Sequence, residues 1–281
     1  MRTIPYKRIV ESVKRLCLNA AFNLPPDVRL AVSAAQKREK SRLGRTILSA
    51  IGDNARIARR DCVPICQDTG IAVFFVDLGS EVRTKGGTLT DAINEGTRLG
   101  YARGYLRPSM VRDPLYRRKN TNTNTPAVIH CAPVKGNKLS ITFAPKGGGS
   151  ENMSCLYMLK PSDGEAGVMD AAVLTVKKAG GNPCPPVIVG IGIGGTAETA
   201  MLLSKKALLR PLGRRNPEKQ FAALERKILD KVNSTGVGPG GLGGTVTALA
   251  VHISTFPCHI AMLPVAVSLS CHAARHASVT L

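Results

Sequence analysis

The sequence predicts an α+β fold: a single domain over residues 1–281, with a mixed or antiparallel β core surrounded by many helices. Three observations carry this reading. Helical periodicity dominates the first sixty residues, which gives an N-terminal helical region over about residues 5–60. Beyond it, short apolar runs of strand length alternate with longer amphipathic stretches, and Gly and Pro bound them. No Ser/Gly-rich linker and no internal repeat divides the 281 residues, a length ample for a core.

Taken in order, Ile9, Val10, Val13, Leu16, Cys17 and Ala20 recur at helical spacing. Pro25-Pro26-Asp27 starts a second helix, and Leu43, Ile47, Leu48, Ile51, Ala55 and Ala58 line a third. Ile71–Val76 is a buried strand, and Thr88-Leu-Thr-Asp91 opens a helix that runs to about Tyr105. Ala127–Cys131 and Leu139–Phe143 are strands joined by the turn at Lys135–Asn137. Gly147–Gly149 break the chain before a short segment, Ser150–Leu159. A helix over Asp163–Ala179 precedes a strand at Val187–Ile193, and helices over Thr196–Leu209 and Pro217–Val232 follow. After the Gly-rich stretch from Gly236, two strand-like runs close the pattern, Thr245–Ile253 and Ala261–Leu269.

The apolar runs fall short of the roughly 20 residues that span a bilayer, and the charged start MRTIPYKRIVESVKRL does not read as a signal peptide. A cytoplasmic protein is expected. Its eight cysteines (17, 62, 66, 131, 155, 184, 258 and 271) include no CxxC pair, which removes zinc ribbons and thioredoxin-type sites. Without a secretion signal they read as reduced thiols. The net charge of +20 attracts anionic ligands, acidic partners or nucleic acid. Only 11 residues are aromatic, and none interleaves with the basic clusters as a base-stacking platform requires.

Two kinds of residue could carry chemistry. Gly190, Gly192 and Gly195 spell G-x-G-x-x-G between a strand and a helix, as in a dinucleotide site. The acid that such a site needs about 20 residues on is missing from Leu209–Asn216, whose arginines leave only an NADP phosphate to match. A close strand–helix turn explains the same glycines. Gly147–Gly149 and Gly238–Gly244 offer backbone N–H groups to an anion such as a carboxylate, or are ordinary tight turns. Cys66, Cys184 and Cys271 sit at edges of regular elements beside polar neighbours. Each reads singly as a core thiol; together they could meet on an iron–sulfur cluster.

An ordered set of motifs narrows this. VPICQDTGIAVFF (Val63–Phe75), GGGSENMS (Gly147–Ser154), GNPCPPVIVGIGIGG (Gly181–Gly195), RPLGRRNP (Arg210–Pro217), GVGPGGLGG (Gly236–Gly244) and SLSCHAARH (Ser268–His276) together resemble the class I, iron–sulfur fumarate hydratases and the closely similar L-tartrate dehydratases. The resemblance runs from end to end and is to the α subunit of two-subunit members, the N-terminal part of single-chain ones. It implies a [4Fe–4S] cluster on Cys66, Cys184 and Cys271, with one iron open to a dicarboxylate substrate. It implies substrate contacts from Gln67, Arg107 and Gly149, and catalytic roles for Asp68 and His259. A β subunit should supply the rest of the site, in an α2β2 assembly. The activity implied is reversible hydration of fumarate to L-malate, with conversion of L-tartrate to oxaloacetate as the alternative. A basic anion- or nucleic-acid-binding module is the reading from another class.

Overall fold

The computed structural model describes residues 1–281. In chain order its strands and helices are β1 (Arg2–Pro5), α1 (Tyr6–Phe22), α2 (Pro26–Arg38), α3 (Arg42–Asp61), β2 (Ile71–Gly79), β3 (Val82–Lys85), α4 (Leu89–Arg103), β4 (Val128–Val134), β5 (Leu139–Lys146), α5 (Gly148–Glu151), β6 (Cys155–Leu159), α6 (Gly164–Ala179), β7 (Val187–Gly194), α7 (Ala197–Ala207), α8 (Lys219–Asn233), β8 (Ala248–Phe256), β9 (Leu263–Ser270) and β10 (Ala277–Thr280). The mixed α/β character matches the expectation. In place of one β core there are two compact units, each with its own four-stranded sheet. Unit 1 comprises Met1–Leu24, Ala55–Gly148 and Arg275–Leu281; unit 2 comprises Pro25–Asn54 and Gly149–Ala274.

In unit 1 the sheet order is β10-β5-β2-β4, and only β2 and β4 run parallel. The predicted strands around Lys135–Asn137 are therefore not a hairpin, because β2 lies between them. The turn instead crosses the end of β2, where Gly79 donates its N–H to Lys138 O at 2.9 Å. A Cβ on Gly79 would fall 2.4 Å from Gly136 O, so only glycine fits. The apolar stripe of α1 packs on this sheet around Phe74 and Phe143, whose ring centroids are 5.0 Å apart. Against α1, α4 presents Gly96 and Gly100, where a Cβ would meet Val13 and Cys17 below 3 Å. Thr88 caps α4 as its sequence predicts, accepting from Asp91 N at 3.0 Å. Strands β1 and β3 add a small parallel pair.

In unit 2 the sheet order is β6-β9-β7-β8, with β7 and β8 parallel and the other pairs antiparallel. Alternate residues Val187, Val189 and Ile191 face α6 and α8 in the core. On the other face, Gly190 and Gly192 meet α7. The segment β7-α7-α8-β8 thus makes a parallel crossover, a βαβ context that sequence patterning did not show.

Strand β8 starts three residues later than the apolar run does. Buried Glu39 captures the N–H groups of Thr245 and Val246 at 2.9 and 2.8 Å, and Asn233 Oδ1 captures those of Thr247 and Ala248 at 2.8 and 2.9 Å. Those donors are therefore withdrawn from the ladder. Glu39 also accepts from Ser41 N at 2.8 Å. Burial pushes its pKa up, but these backbone donors outweigh that and hold the carboxyl below its usual range. Glu39→Ala would strand the buried Val246 N–H and the part-buried N–H groups of Ser41 and Thr245, each costing about 1–3 kcal/mol where water cannot reach it. A loss of ~3 kcal/mol or more in urea unfolding is expected, and a loss below ~1 kcal/mol would contradict this role. The stabilisation is present above the unfolded value near 4.5 and fades as pH falls through the lower folded pKa.

Candidate functional site

Unit 1 gathers Cys66, Gln67, Asp68 and Arg107 on two stitched loops. Thr69 Oγ1 donates to Arg107 O at 2.7 Å, which ties the loop after α4 to the one carrying Cys66. Buried Tyr101 donates its hydroxyl to Thr69 O at 2.9 Å, and buried Asn124 donates to Gly70 O at 3.1 Å. Gly70 is held at φ 78, with the backbone of Lys146 where a Cβ would go. The Asp68 carboxylate accepts from Gly70 N at 3.0 Å and Gly148 N at 2.9 Å, one per oxygen. Arg275 donates to Asp68 O at 2.6 Å. This loop is fixed through its backbone, so the half-buried Cys66 and Asp68 and the exposed Gln67 and Arg107 are displayed from a rigid base.

Unit 2 gathers Cys184, Cys271 and Gly149. Cys184 is exposed and holds φ at 53, a left-handed conformation uncommon for a non-glycine residue. It persists because neighbouring bonds determine it. Cys184 N donates to Gly181 O at 3.0 Å, Gly240 N donates to Pro185 O at 2.8 Å, and His272 Nδ1 lies 2.9 Å from Cys184 O. Strain of this kind, held in place by surrounding contacts, is characteristic of functional positions. His272 follows the half-buried Cys271 directly, so the same contact brings the two cysteine loops together. A Cβ on Gly149 would lie 2.8 Å from Asn182 O, two residues before Cys184.

His259 is not brought to this group. Cys184 precedes β7 and Cys271 follows β9, at one end of the unit 2 sheet; His259 lies between β8 and β9 at the other. The eight residues of β9 separate the two ends by roughly 25 Å. His259 is exposed and lines an apolar cavity of about 480 Å³ with Val168, Phe221, Leu224 and Ile260. Within this chain the length of the sheet holds His259 away from Cys184 and Cys271.

No disulfide joins any of the eight cysteines. Within neither unit do three His, Cys, Asp or Glu side chains converge as metal ligands; Cys66 belongs to unit 1, and Cys184 and Cys271 to unit 2. No helix is long and apolar enough to cross a membrane. The sequence by itself assigns no role to Glu39, Asn124, Arg275 or His272. For the last two the available signal was adjacency to Cys271; for Glu39 and Asn124 there was none.

An α/β chain that displays a strained cysteine between prolines, and an Asp fixed beside a second cysteine, fits a known class. The chain belongs to the fumarate hydratase family, whose model, described as Fumarate hydratase (Fumerase), matches residues 10–280. More particularly, it is similar to a protein of Methanocaldococcus jannaschii named "Putative L(+)-tartrate dehydratase subunit alpha". The two are 43% identical over 275 residues, 96% of each chain. It is also similar to the L(+)-tartrate dehydratase subunit alpha of Escherichia coli strain UTI89, 33% identical over 277 residues, 97% of this chain and 90% of that one. The K12 strain's protein is 32% identical over the same span.

Proposed function

We propose that the chain is the α subunit of an iron–sulfur hydro-lyase that dehydrates L-tartrate to oxaloacetate, acting with a β subunit in an α2β2 assembly. The observation that carries this is end-to-end similarity to tartrate dehydratase α subunits. It moves the substrate from fumarate, the main expectation from sequence, to the alternative held beside it. Malate and fumarate remain the second reading, because the matching family model carries the fumarase description.

Cys66, Cys184 and Cys271 are the proposed holders of a [4Fe–4S] cluster. Soft thiolates are the ligands such a cluster takes, and three of them leave one iron open. Exposure of Cys184 at φ 53 fits a thiol kept out of the core for a ligand. The cluster, when bound, supplies a Lewis acid for the substrate hydroxyl and carboxylate. This chain's residues bind and orient. The Arg107 guanidinium offers a planar fork to one carboxylate, the Gln67 amide a donor, and Gly149 a backbone contact. The Asp68 oxygens each keep a lone pair beyond the backbone bond they accept, which leaves them able to take or orient a substrate proton. The proton leaves the carbon next to the one losing hydroxide, and the enol formed becomes oxaloacetate. His259, to which the resemblance gives a catalytic role, lies at the other end of the unit 2 sheet from Cys184 and Cys271.

The test is anaerobic reconstitution of the chain with a co-expressed β subunit, followed by turnover of L-tartrate, L-malate and fumarate. Turnover of L-tartrate at least about tenfold faster, a difference of ~1.4 kcal/mol in barrier, is expected. Preference for malate and fumarate would move the assignment to the second reading. Full activity of the chain alone would remove the β subunit from it.

A further inference from the structure

One sequence motif has no part in the proposed chemistry. The loop of RPLGRRNP joins α7 to α8 and is pinned at both ends within unit 2. Leu212 N donates to Asp27 Oδ2 at 2.7 Å, and Asn216 Nδ2 donates to Ile253 O at 3.1 Å and to Glu225 Oε1 at 3.0 Å. Beneath it lies a cavity of about 570 Å³ between α8 and β8, within the range of small-molecule sites. Its wall carries Arg214, Arg215, Lys219 and Arg226.

What matters is how charge is distributed around this cavity. Its one carboxylate, Glu225, is buried and already occupied: the same Oε1 accepts from Arg210 Nη2 at 2.6 Å and from Ile253 N at 2.7 Å, besides Asn216. The four cations at the mouth make no ion pair. Lys219 and Arg226 are seven residues apart on α8, hence on the same side two turns along, and the pinned loop sets Arg214 and Arg215 on the rim. His252, on β8, adds no charge at neutral pH. Burial, then the nearby Arg210, pushes its pKa down to about 4. The floor is apolar, from Leu229, Leu249 and Val251. Four unpaired cations around one concavity repel each other until an anion enters.

We propose that this cavity binds a small anion of the pyrophosphate type, free or carried by a nucleoside diphosphate. Two linked phosphates carry roughly −3 together at neutral pH, closer to the charge of four cations than the −2 of a dicarboxylate. Arginine forks pair bidentately with phosphate oxygens. The apolar floor accommodates a less polar body attached to the anhydride.

The test is calorimetric titration of the full chain, at physiological salt, with pyrophosphate, ADP, orthophosphate, L-malate and a single-stranded oligonucleotide. The expected result is saturable one-site binding of pyrophosphate or ADP, with orthophosphate and malate at least about tenfold weaker. Tighter binding of ADP names a nucleotide as the source; equal binding names the free anhydride. The Arg214→Ala/Arg226→Ala double variant, altered only at exposed positions, should bind about a hundredfold more weakly. Lys219→Ala should bind about tenfold more weakly, and both should keep the wild-type unfolding midpoint. No saturable binding, or undiminished binding by both variants, overturns the proposal. So does an oligonucleotide that displaces pyrophosphate with steep salt dependence, which would make the rim a nucleic-acid contact. Because binding is read without cluster or turnover, its failure and that of the hydro-lyase assignment are separable.

Discussion

Cys184→Ser is expected to leave the folded chain intact while removing the cluster and reducing turnover roughly a thousandfold or more. The size follows from the work of the open iron in the proposed cluster. Lewis-acid stabilisation of developing charge is worth several kcal/mol, and each ~1.4 kcal/mol is a factor of ten. The readout that matters most is iron and sulfide per chain after anaerobic reconstitution, since activity alone cannot tell a lost ligand from a disturbed pocket. Cys131→Ser, on the exposed outer strand β4, is the control and should keep its iron. A second substitution uses the backbone. At φ 53 a non-glycine residue carries a penalty of about 1–2 kcal/mol that glycine does not. Cys184→Gly should therefore match or exceed wild-type stability while losing iron. Wild-type iron content in Cys184→Ser would sink the ligand assignment. A Cys184→Gly chain markedly less stable than wild type would show instead that the thiol serves packing.

Much of this site was legible in the sequence because its parts are local. Cys66, Gln67 and Asp68 are consecutive, and Cys184 sits among prolines and glycines whose conformational limits show in the residue types themselves. The long helices were equally legible, since α1 buries the very positions its periodicity marks. What stayed hidden depends on partners distant in sequence. Glu39 reads as one more charge in a basic stretch until its contact with Thr245, 206 residues away, makes it the anchor of the Gly-rich loop. Strand β10 is too short to stand out: apolar Ala277 and Val279 alternate with Ser278 and Thr280, which pair with Thr142 and Ser140 on the exposed face. The place of β2 between β4 and β5 stayed hidden for a related reason: the tight turn at Lys135–Asn137 predicts chain reversal, but not whether another strand will enter between the two arms. The resemblance gives His259 a role, and only the direction of β9 shows which end of the unit 2 sheet it occupies.

Gly192→Ala is expected to destabilise the chain by ~3 kcal/mol or more, although it adds one methyl group. A Cβ on Gly192 would lie 2.0 Å from Ala200 O and 2.7 Å from Ser204 N, both backbone atoms of α7 that no rotamer change can move. Gly190 meets the same helix, with Ser204 O 2.2 Å from its Cβ position. Relief requires α7 to lift from the sheet as a body. That would stretch the buried Ser204–Ser268 hydrogen bond at 2.7 Å and the contact of His252 Nδ1 with Ala207 O at 3.2 Å. Overpacking of about 1–3 kcal/mol and roughly 1 kcal/mol for each weakened bond give the total. Gly52→Ala is the contrast. That glycine lies inside α3 with nothing within 4 Å of its Cβ position, so alanine should stabilise by about 0.5–1 kcal/mol. Urea unfolding of the two variants separates a packing glycine from a merely permitted one, and equal, small effects would refute the packing argument. The same geometry accounts for the G-x-G-x-x-G pattern. Its first two glycines are sites of contact between helix and strand, and β8, the parallel neighbour, ends in Ser254-Thr-Phe256 with no acid to receive a ribose. A dinucleotide fingerprint and a close-packed crossover ask for glycine at the same spacing, and here the contacts of α7 are sufficient reason for it.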